Sequence, residues 1–368
     1  MAANGKPPRS TFAQALLAWQ RHSGRHDLPW QTRPIDPYRV WLSEIMLQQT
    51  QVKTAIPYFE RFIARFPRIE QLAMASEHDV LALWSGLGYY QRARNLLKCA
   101  QEVVRSHRGV FPRTAIELQA LPGIGPSTAA AIASTVFNER VAILDGNVKR
   151  VLARVTCADP PWGSPALERE LLQAATHRLP VRPSDMPRYT QAIMDLGALV
   201  CTPKVPRCTA CPVTGDCGAF QRKETTAFPR QRVKKAAPVR NAYWCVLVHP
   251  HYVWLVQRPT HGVWPGLWQP WPLDPDALPA HWGETAQHLK RVDTIHHAFS
   301  HYRLLIEAGI VRWPYATTAP RGAPAGLTRF TWAEALCLPL PAPVAKLLAT
   351  LCPSGKASGG APRRRSRP

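Results

Sequence analysis

Two carboxylates occupy positions that would suit acid–base chemistry. Glu44 lies in a stretch predicted to be helical, and its neighbours at i−4, i−3 and i+3 are Val40, Trp41 and Leu47. These large side chains place the carboxyl on an apolar helical face. Burial there would raise its pKa, so that Glu44 could hold a proton near neutral pH, donate it to a leaving group and then assist water. A surface glutamate is the alternative, which the apolar neighbours disfavour.

The second carboxylate, Asp145, stands where a new helix is predicted to begin. It follows the apolar run Val141–Leu144 and precedes Gly146 and Asn147. Amide N–H groups at a helix N-terminus favour an ionised carboxylate, and a fixed negative charge could stabilise a cationic, oxocarbenium-like sugar. A simple N-cap is the commoner use of Asp at such a position. Only its place after the glycine hairpin described below favours catalysis over capping.

Four of the nine cysteines form a tight cluster with the spacing C-x6-C-x2-C-x5-C. They are Cys201, Cys208, Cys211 and Cys217. Four thiolates in a short loop could close the coordination shell of a tetrahedral zinc or of a cubane iron–sulfur cluster, and the spacing alone does not choose between them. The remaining cysteines are scattered and are interpreted as ordinary core or surface thiols.

A glycine-containing turn, Leu121–Ser127, separates two stretches that are predicted to be helical. Thr114 and Glu117 form a capping box for the first stretch, and an Ala-rich run follows Ser127. Gly123 and Gly125 permit a tight turn and a close backbone approach, so amide groups at the start of the second helix could bind a DNA phosphate without reading sequence. A mere interhelical turn is the alternative.

The composition is strongly basic, with 46 Lys and Arg against 24 Asp and Glu and a formal net charge of +22 at pH 7. Each neutralised phosphate releases counterions, so the charge favours a nucleic-acid partner over a basic but inert surface. The N-terminus lacks the apolar run of a signal peptide, and no segment is apolar enough to span a bilayer. We therefore expect a cytoplasmic, nucleoid-associated monomer with no membrane partner.

The length of 368 residues predicts two domains. Residues 8–221 are predicted to form a mainly α-helical domain without strands. A basic linker is expected over residues 222–240, an α+β domain over 241–352 and a disordered basic tail over 353–368.

Short runs of aromatic and β-branched residues predict the strands of the second domain. Tyr243–Val248 and Val253–Val256 are expected to pair as a hairpin, and a further strand is predicted near His301–Val311. A helix is predicted over about Ala342–Leu351.

Five motifs taken in order over about residues 10–220 resemble the MutY-type adenine DNA glycosylases. They are Trp41–Glu44 with Met46–Gln51, Gly86–Tyr90, the hairpin Leu121–Ser127, Leu144–Asn147 and the four cysteines. The resemblance implies a helix-hairpin-helix glycosylase domain with a [4Fe–4S] loop and a C-terminal Nudix-like domain. It also implies base excision repair of double-stranded DNA, in which adenine mispaired with 8-oxoguanine or guanine is removed.

The resemblance also implies roles for particular residues. The family's glutamate matching Glu44 is the general acid, which protonates adenine N7, and its aspartate matching Asp145 is the electrostatic stabiliser. Side chains that contact the lesion pair or wedge into the base stack are implied at Gln48, Gln49, Thr50, Leu87 and Tyr89. Leu87 and Tyr89 could alternatively be core residues.

The hairpin carries a serine where lyase-active relatives resembling endonuclease III carry a lysine. Ser127 cannot form a Schiff base, so we expect base removal by water rather than strand cleavage through a covalent intermediate. A lyase-competent oxidised-pyrimidine glycosylase and a non-enzymatic iron–sulfur DNA-binding protein remain as alternatives. Glu44 in its apolar setting, with Asp145 near the hairpin, opposes the non-enzymatic reading.

The C-terminal domain resembles the MutT-like domain that MutY enzymes carry for recognising 8-oxoguanine. Its landmarks are Trp264–Trp268 and Phe299–Ser300–His301, with Ser300 as the candidate hydrogen-bond partner of the oxidised guanine. No Nudix hydrolase box follows Gly262, so the carboxylates needed to hold magnesium for pyrophosphate hydrolysis are missing. This pattern favours binding over a nucleotide pyrophosphatase, and a strand-end packing cluster is the alternative.

Overall fold

The computed structural model describes residues 11–231, 237–273, 290–299, 301–315 and 322–353. These residues divide into two compact units. The first contains the described residues up to Ala75 and from Gln91 into the basic linker, and the second contains Ser76–Tyr90 together with the described residues from 237 onward. The domain bounds predicted from the sequence stay predictions, and the predicted tail beyond residue 353 lies outside the described residues.

The chain up to the basic linker is helical. Its α-helices are α1 (Phe12–Ser23), α2 (Pro37–Leu47), α3 (Val52–Arg65), α4 (Ile69–Ala73), α5 (Glu77–Trp84), α6 (Gln91–His107), α7 (Ala115–Gln119), α8 (Pro126–Phe137), α9 (Gly146–Thr156), α10 (Pro165–His177), α11 (Met186–Asp195) and α12 (Gly218–Gln221). Helix α5 belongs to the second unit and the others to the first. Over residues 11–231 no strand is present, which agrees with the sequence prediction.

Local signals in the sequence fix where the helices near the site begin and end. The Asp36 carboxylate caps α2 by accepting hydrogen bonds from the Tyr38 and Arg39 amides, and Pro37 occupies the first helical position. Helix α8 begins at Pro126 and ends at Phe137, where the C-cap Asn138 has a left-handed φ of 57°.

One apolar core unites the helices that follow the hairpin. Leu152 of α9, Leu171 of α10 and Ile193 of α11 are all almost completely buried in it, together with Leu16 of α1. Burial of such side chains contributes roughly 1.5–3 kcal/mol each. This core fixes α8, α9 and α11, which carry much of the candidate site.

The second unit is built on a mixed sheet of strands β1 (Val239–Val248), β2 (Tyr252–Gln257), β3 (Trp268–Gln269), β4 (Lys290–Ala298), β5 (Arg303–Arg312) and β6 (Thr328–Thr331). The order is β3-β2-β1-β5-β4, and β6 pairs with β2. Strands β1 and β5 run parallel, whereas β1 with β2 and β4 with β5 are antiparallel. The predicted hairpin, the strand near residue 301 and the α+β class are confirmed.

Both faces of the sheet are covered. Trp244 and Val246 of β1 pack on one face with helices α13 (Trp332–Cys337) and α14 (Ala342–Leu351), while Cys245 and Leu247 pack on the other. The alternation follows from the two-residue period of a strand. None of the described helices has the length and apolar character that crossing a membrane would require.

Candidate active site and cysteine pocket

Glu44 lies on α2 and lines a large open pocket of the first unit. The cavity has a volume of about 960 Å³ when its solvent-open mouth is included. Its polar lining comes from residues far apart in the sequence: Gln20, His26, Gln31, Glu44, Arg188 and Gln191. Trp30 adds an aromatic wall. Small-ligand sites are usually concave, with apolar and aromatic side chains and a few placed polar groups.

The carboxyl of Glu44 is set up to carry a proton. The residue is half-buried because it faces the pocket, but its carboxyl lies deep among neighbouring atoms. Burial, and to a smaller extent the nearby charge of Asp145, raise its pKa from 4.5 to about 7. A carboxyl with such a pKa is a general acid suited to neutral pH.

Asp145 is both an N-cap and a buried charge. Its Oδ1 accepts a hydrogen bond from the Val148 amide at 2.7 Å, which caps α9. Burial raises its pKa, while hydrogen bonds from the Val148 and Asn147 amides and the charge of Arg150 lower it, and the net direction is upward. The helix N-terminus therefore offsets only part of the cost of burying the charge. Asp145 does not line the Glu44 pocket but acts on Glu44 electrostatically.

The hairpin has the geometry that its glycines suggested. Gly123 has φ of 78°, and an added Cβ would lie 2.6 Å from Cβ of Asn95, so both the turn and the packing require glycine. An added Cβ at Gly125 would meet nothing within 4 Å. Gly125 is the N-cap of α8 and supplies no side-chain cap, so the exposed N-terminus of α8 is open to an approaching anion.

Ser127 lies in the first turn of α8, and its hydroxyl accepts a hydrogen bond from the Leu144 amide at 3.4 Å. The contact joins the hairpin to the segment that leads into Asp145. The sequence-predicted Ser127 and Asp145 are therefore close to each other in the structure.

The segment Gln48–Thr50 leaves the C-terminus of α2 in an irregular conformation. Gln48 donates to the Thr128 hydroxyl at 3.2 Å, and the exposed Gln49 has a left-handed φ of 57°. Arg92 of α6 donates to the carbonyl oxygens of Ile45 and Met46 at 2.9 and 2.8 Å. Arg92 thus caps the helix that carries Glu44, a role that the sequence analysis did not find.

The four clustered cysteines, Cys201, Cys208, Cys211 and Cys217, line one pocket of about 290 Å³. A π-helical turn, Leu196–Val200, leads from α11 into this loop. Among the described residues no group of three His, Cys, Asp or Glu side chains has the geometry to hold a single metal ion. Burial raises the pKa of the Cys208, Cys211 and Cys217 thiols.

A buried guanidinium faces the cysteine pocket. Arg154 of α9 is 2% exposed, and its Nη1 donates to Sγ of Cys201 at 3.2 Å and to the Thr202 carbonyl oxygen at 2.8 Å. One turn earlier, Arg150 donates to the Cys201 carbonyl oxygen at 2.8 Å and to Asn147 Oδ1 at 2.8 Å. Thus α9 presents a cationic stripe to the cysteine loop and begins at Asp145.

Leu87 and Tyr89, which the resemblance assigned to DNA contact, belong to the second unit. Leu87 is 7% exposed, whereas Tyr89 is 53% exposed with a left-handed φ of 51°. Burial of Leu87 agrees with the alternative that it is a core residue. Tyr89 is presented to solvent in a conformation that non-glycine residues rarely adopt.

Phe299 and His301 flank the tip of the β4–β5 hairpin. Phe299 is stacked on Tyr302 with ring centroids 4.6 Å apart, and Trp264 lies 5.3 Å from it. His301 is exposed. Phe299 thus has aromatic neighbours within its own unit, its contact with the oxidised guanine stays a prediction, and Ser300 lies outside the described residues.

The polar lining of the Glu44 pocket escaped the sequence analysis. Gln191 is an example: it lines the pocket, and its amide NH2 donates to Asp195 Oδ1 at 2.8 Å. The carboxylate of Asp195 is itself fixed by Arg25. Since α1, the loop before α2, and α11 contribute these residues, no sequence spacing connects them.

A helical domain with a glycine hairpin and a carboxyl of raised pKa that lines an open pocket has the features expected of a DNA glycosylase of the helix-hairpin-helix kind. Residues 42–175 match the HhH-GPD superfamily of base excision DNA repair proteins, and residues 243–350 match the NUDIX domain.

Relatives specify the family further. The chain is 37% identical over 310 residues to the adenine DNA glycosylase of Buchnera aphidicola subsp. Acyrthosiphon pisum, covering 83% of this chain and 87% of that protein. It is 35% identical to the human adenine DNA glycosylase, with 85% of this chain and 70% of the human protein covered. The chain belongs to the adenine DNA glycosylase family.

Proposed function

We propose that this protein flips adenine out of mispairs with 8-oxoguanine or guanine in duplex DNA and removes it by hydrolysis. The observation that carries the proposal is Glu44, whose pKa is raised to about 7 within a pocket of ligand size beside Asp145. Membership in the adenine DNA glycosylase family identifies adenine as the base that is removed. We also propose that the protein acts as a monomer.

In the proposed reaction Glu44 donates its proton to N7 of adenine. The bond between C1′ and N9 then breaks, and its electron pair leaves with the neutral base. The charge of Asp145 stabilises the oxocarbenium-like sugar that remains. Glu44, now ionised, takes a proton from water as the water oxygen adds to C1′, which gives free adenine and an abasic site.

The pocket chemistry is compatible with a purine. Trp30 offers an aromatic surface, while Gln31 and Gln191 offer amide groups that can donate to and accept from a base edge. Because Asp195 holds the NH2 group of Gln191, its amide oxygen can accept a hydrogen bond from the exocyclic amine of adenine.

DNA would be held at sites that do not read sequence. The open N-terminus of α8 at Gly123, Gly125 and Ser127 can accept a phosphate, and Gln48, Gln49, Thr50 and Tyr89 can enter the space that a flipped base leaves. The strained φ of Gln49 and Tyr89 supports this assignment, since such strain clusters at functional sites. Phe299, Ser300 and His301 are proposed to face 8-oxoguanine.

A lyase reaction is the second candidate. Residue 127 is a serine whose hydroxyl contacts the Leu144 amide, so the hairpin presents no amine at this position. We therefore propose that water, and not a lysine, attacks C1′.

Single-turnover base release from duplexes that hold 8-oxoguanine·A, G·A or thymine glycol·A tests the proposal. We expect adenine release opposite 8-oxoguanine and guanine, strand breaks only after alkali treatment, and little covalent trapping with borohydride. Release of thymine glycol alone, with strong trapping, would establish the lyase reading instead. Absence of any base release would indicate a DNA-binding protein.

We further propose that Cys201, Cys208, Cys211 and Cys217 hold a [4Fe–4S] cluster. Three observations support this: the four thiols share one pocket, Arg154 aims a buried guanidinium at Cys201, and the spacing resembles the family's cluster loop. A buried cation compensates the negative charge of thiolate ligands. The cluster would hold the loop after α11 together, and Arg154 would connect that loop to α9. The proposed role of the cluster is therefore structural.

Metal analysis of the purified protein is expected to give about four irons and four acid-labile sulfides per chain. Cys208→Ser is expected to lower both contents and the thermal stability, because a ligand is lost from a site that holds the loop together. The matched control is Cys337→Ser, at an exposed cysteine of the second unit, which should retain full iron. One zinc per chain without sulfide would contradict the cluster.

A further inference from the structure

The backbone of Leu340 makes hydrogen bonds to both ends of the loop Ser85–Tyr90 within the second unit. The buried hydroxyl of Tyr90 donates to the carbonyl oxygen of Leu340 and accepts a hydrogen bond from the Gly86 amide at 3.2 Å. Ser85 Oγ accepts from the Leu340 amide at 3.4 Å. Both backbone groups of Leu340 therefore engage the loop, one near each end.

The loop is bent into a conformation that needs such support. Gly86 and Gly88 have φ of 91° and 75°, and Tyr89 has φ of 51°. The indole of Trp84 donates to the Gly88 carbonyl oxygen at 3.0 Å. A left-handed tyrosine costs free energy and persists only where the surroundings fix it, so these contacts preset Tyr89 in its exposed position.

The residue before Leu340 is hydrogen-bonded to strand β3 of the sheet, close to the aromatic residues Trp264 and Phe299. Leu340 is 1% exposed in the connection between α13 and α14, and the preceding Pro339 accepts the Trp268 amide of β3 at 3.0 Å. The turn that leads into β3 contains Trp264, which packs against Phe299. A short chain of backbone contacts thus joins Tyr90 to the sheet.

We propose that Tyr90 is a positioning residue. Its hydroxyl links the loop to Leu340 of the second unit, so that Tyr89 is held where it can enter the DNA stack beside the mispair. The inference rests on the proposed function, because it assumes that Tyr89 meets DNA. The residues lie within the range matched by the helix-hairpin-helix family, yet their anchor comes from the unit matched by the NUDIX domain.

The physical advantage is preorganisation. An aromatic wedge must offset the cost of unstacking, and any ordering of the loop on binding subtracts from that gain. A loop that is already fixed loses little conformational freedom. Removing the Tyr90 hydroxyl leaves the Leu340 carbonyl and the Gly86 amide without their shared partner, so the loop should become mobile before the fold does.

Tyr90→Phe in the full-length protein tests the inference. Fluorescence of 2-aminopurine placed next to 8-oxoguanine reports how far the stack is opened, and titration of the same duplex gives the affinity. We expect about a five- to ten-fold weaker affinity and a smaller fluorescence rise. The pH midpoint of base release should not move, since Glu44 is untouched. Ser85→Ala should act in the same direction with a smaller effect.

The matched control is Tyr38→Phe, which also removes a buried hydroxyl that donates to a carbonyl oxygen, that of Phe66 at 2.8 Å in the first unit. Tyr38→Phe should lower the melting temperature without changing the fluorescence rise. Equal fluorescence and affinity for Tyr90→Phe and wild type would overturn the inference. Because unstacking needs no chemistry, wild type that opens the stack but releases no adenine would contradict only the proposed function.

Discussion

Glu44→Gln is expected to lower the single-turnover rate of adenine release by about 10²–10⁴-fold, the usual contribution of a positioned general acid. Glutamine keeps the size and the hydrogen-bonding capacity of the side chain but cannot deliver a proton to N7 or accept one from water. Duplex affinity should stay close to that of wild type, because the change removes an interaction that matters mainly in the transition state.

The control for this variant is Glu60→Gln, on the exposed face of α3 in the same unit. It makes the same chemical change without touching the pocket, and its rate should equal that of wild type. If Glu44→Gln retained wild-type rate while binding weakened, Glu44 would be a binding residue and the proposed mechanism would be wrong.

The pH profile supplies an independent readout of the same carboxyl. Since the acid form is the active one and burial raises the pKa of Glu44 to about 7, the wild-type rate should fall as pH rises through about 7. The residual rate of Glu44→Gln should lose this inflection. A wild-type profile without a fall between pH 6 and about 8 would contradict the assignment.

Glu44→Gln should raise stability at high pH although it lowers activity. The pKa of Glu44 is raised from 4.5 to about 7 on folding, so its contribution to stability is fully present at low pH and is lost as pH rises from 4.5 through about 7. Glutamine never ionises. At high pH the variant should therefore unfold less readily than wild type, by at most about 3 kcal/mol for a pKa raised from 4.5 to about 7. Denaturant unfolding at two pH values measures this difference.

The sequence predicted the elements whose signals are local. The helix Ala342–Leu351 and the hairpin of β1 and β2 stand where hydrophobic periodicity placed them. Gly123 is an example: its φ of 78° and its close approach to Asn95 both require a glycine, which the short turn motif predicted. Such features depend on residues close in sequence, so a single chain reveals them.

Strand β4 was missed because it lies at the edge of the sheet. Residues Lys290–Ala298 are mostly exposed, and a bulge between Val292 and Ile295 breaks the alternation that marks a half-buried strand. Strand β4 forms because it pairs with β5, and the local sequence of β4 does not indicate that pairing.

Sequence analysis identified candidate site residues only where the residue type and its neighbours in sequence indicate a chemical role. Glu44 stood out because its helical neighbours are large and apolar, and the family resemblance paired it with Asp145, but the effect of the Asp145 charge on the pKa of Glu44 is visible only in the fold. Arg154 was missed for a related reason: a charged residue on an amphipathic helix is usually solvated, and only tertiary contact with Cys201 shows that this one is buried.

Asp145→Asn is the variant that separates catalysis from capping. Asparagine is as good an N-cap as aspartate, so its side-chain oxygen can still accept the Val148 amide and α9 should keep its stability. The negative charge is lost. If that charge stabilises the oxocarbenium-like sugar, adenine release should slow by about 10²–10³-fold at unchanged melting temperature. The pKa of Glu44 should also fall, because the neighbouring charge that raises it is removed.

Two further variants separate the effect of the charge from that of the cap. Asp36→Asn makes the same change at the N-cap of α2, where the carboxylate accepts from the Tyr38 amide at 2.9 Å, and it should leave the rate near that of wild type. Asp145→Ala removes both cap and charge, and should therefore combine the slow rate with a loss of about 1 kcal/mol in stability. If Asp145 were only a cap, Asp145→Asn would release adenine at the wild-type rate, because asparagine keeps the cap. Asp145→Ala would then lose stability but would still release adenine at a rate close to that of wild type, because the reaction would not depend on the charge at the start of α9.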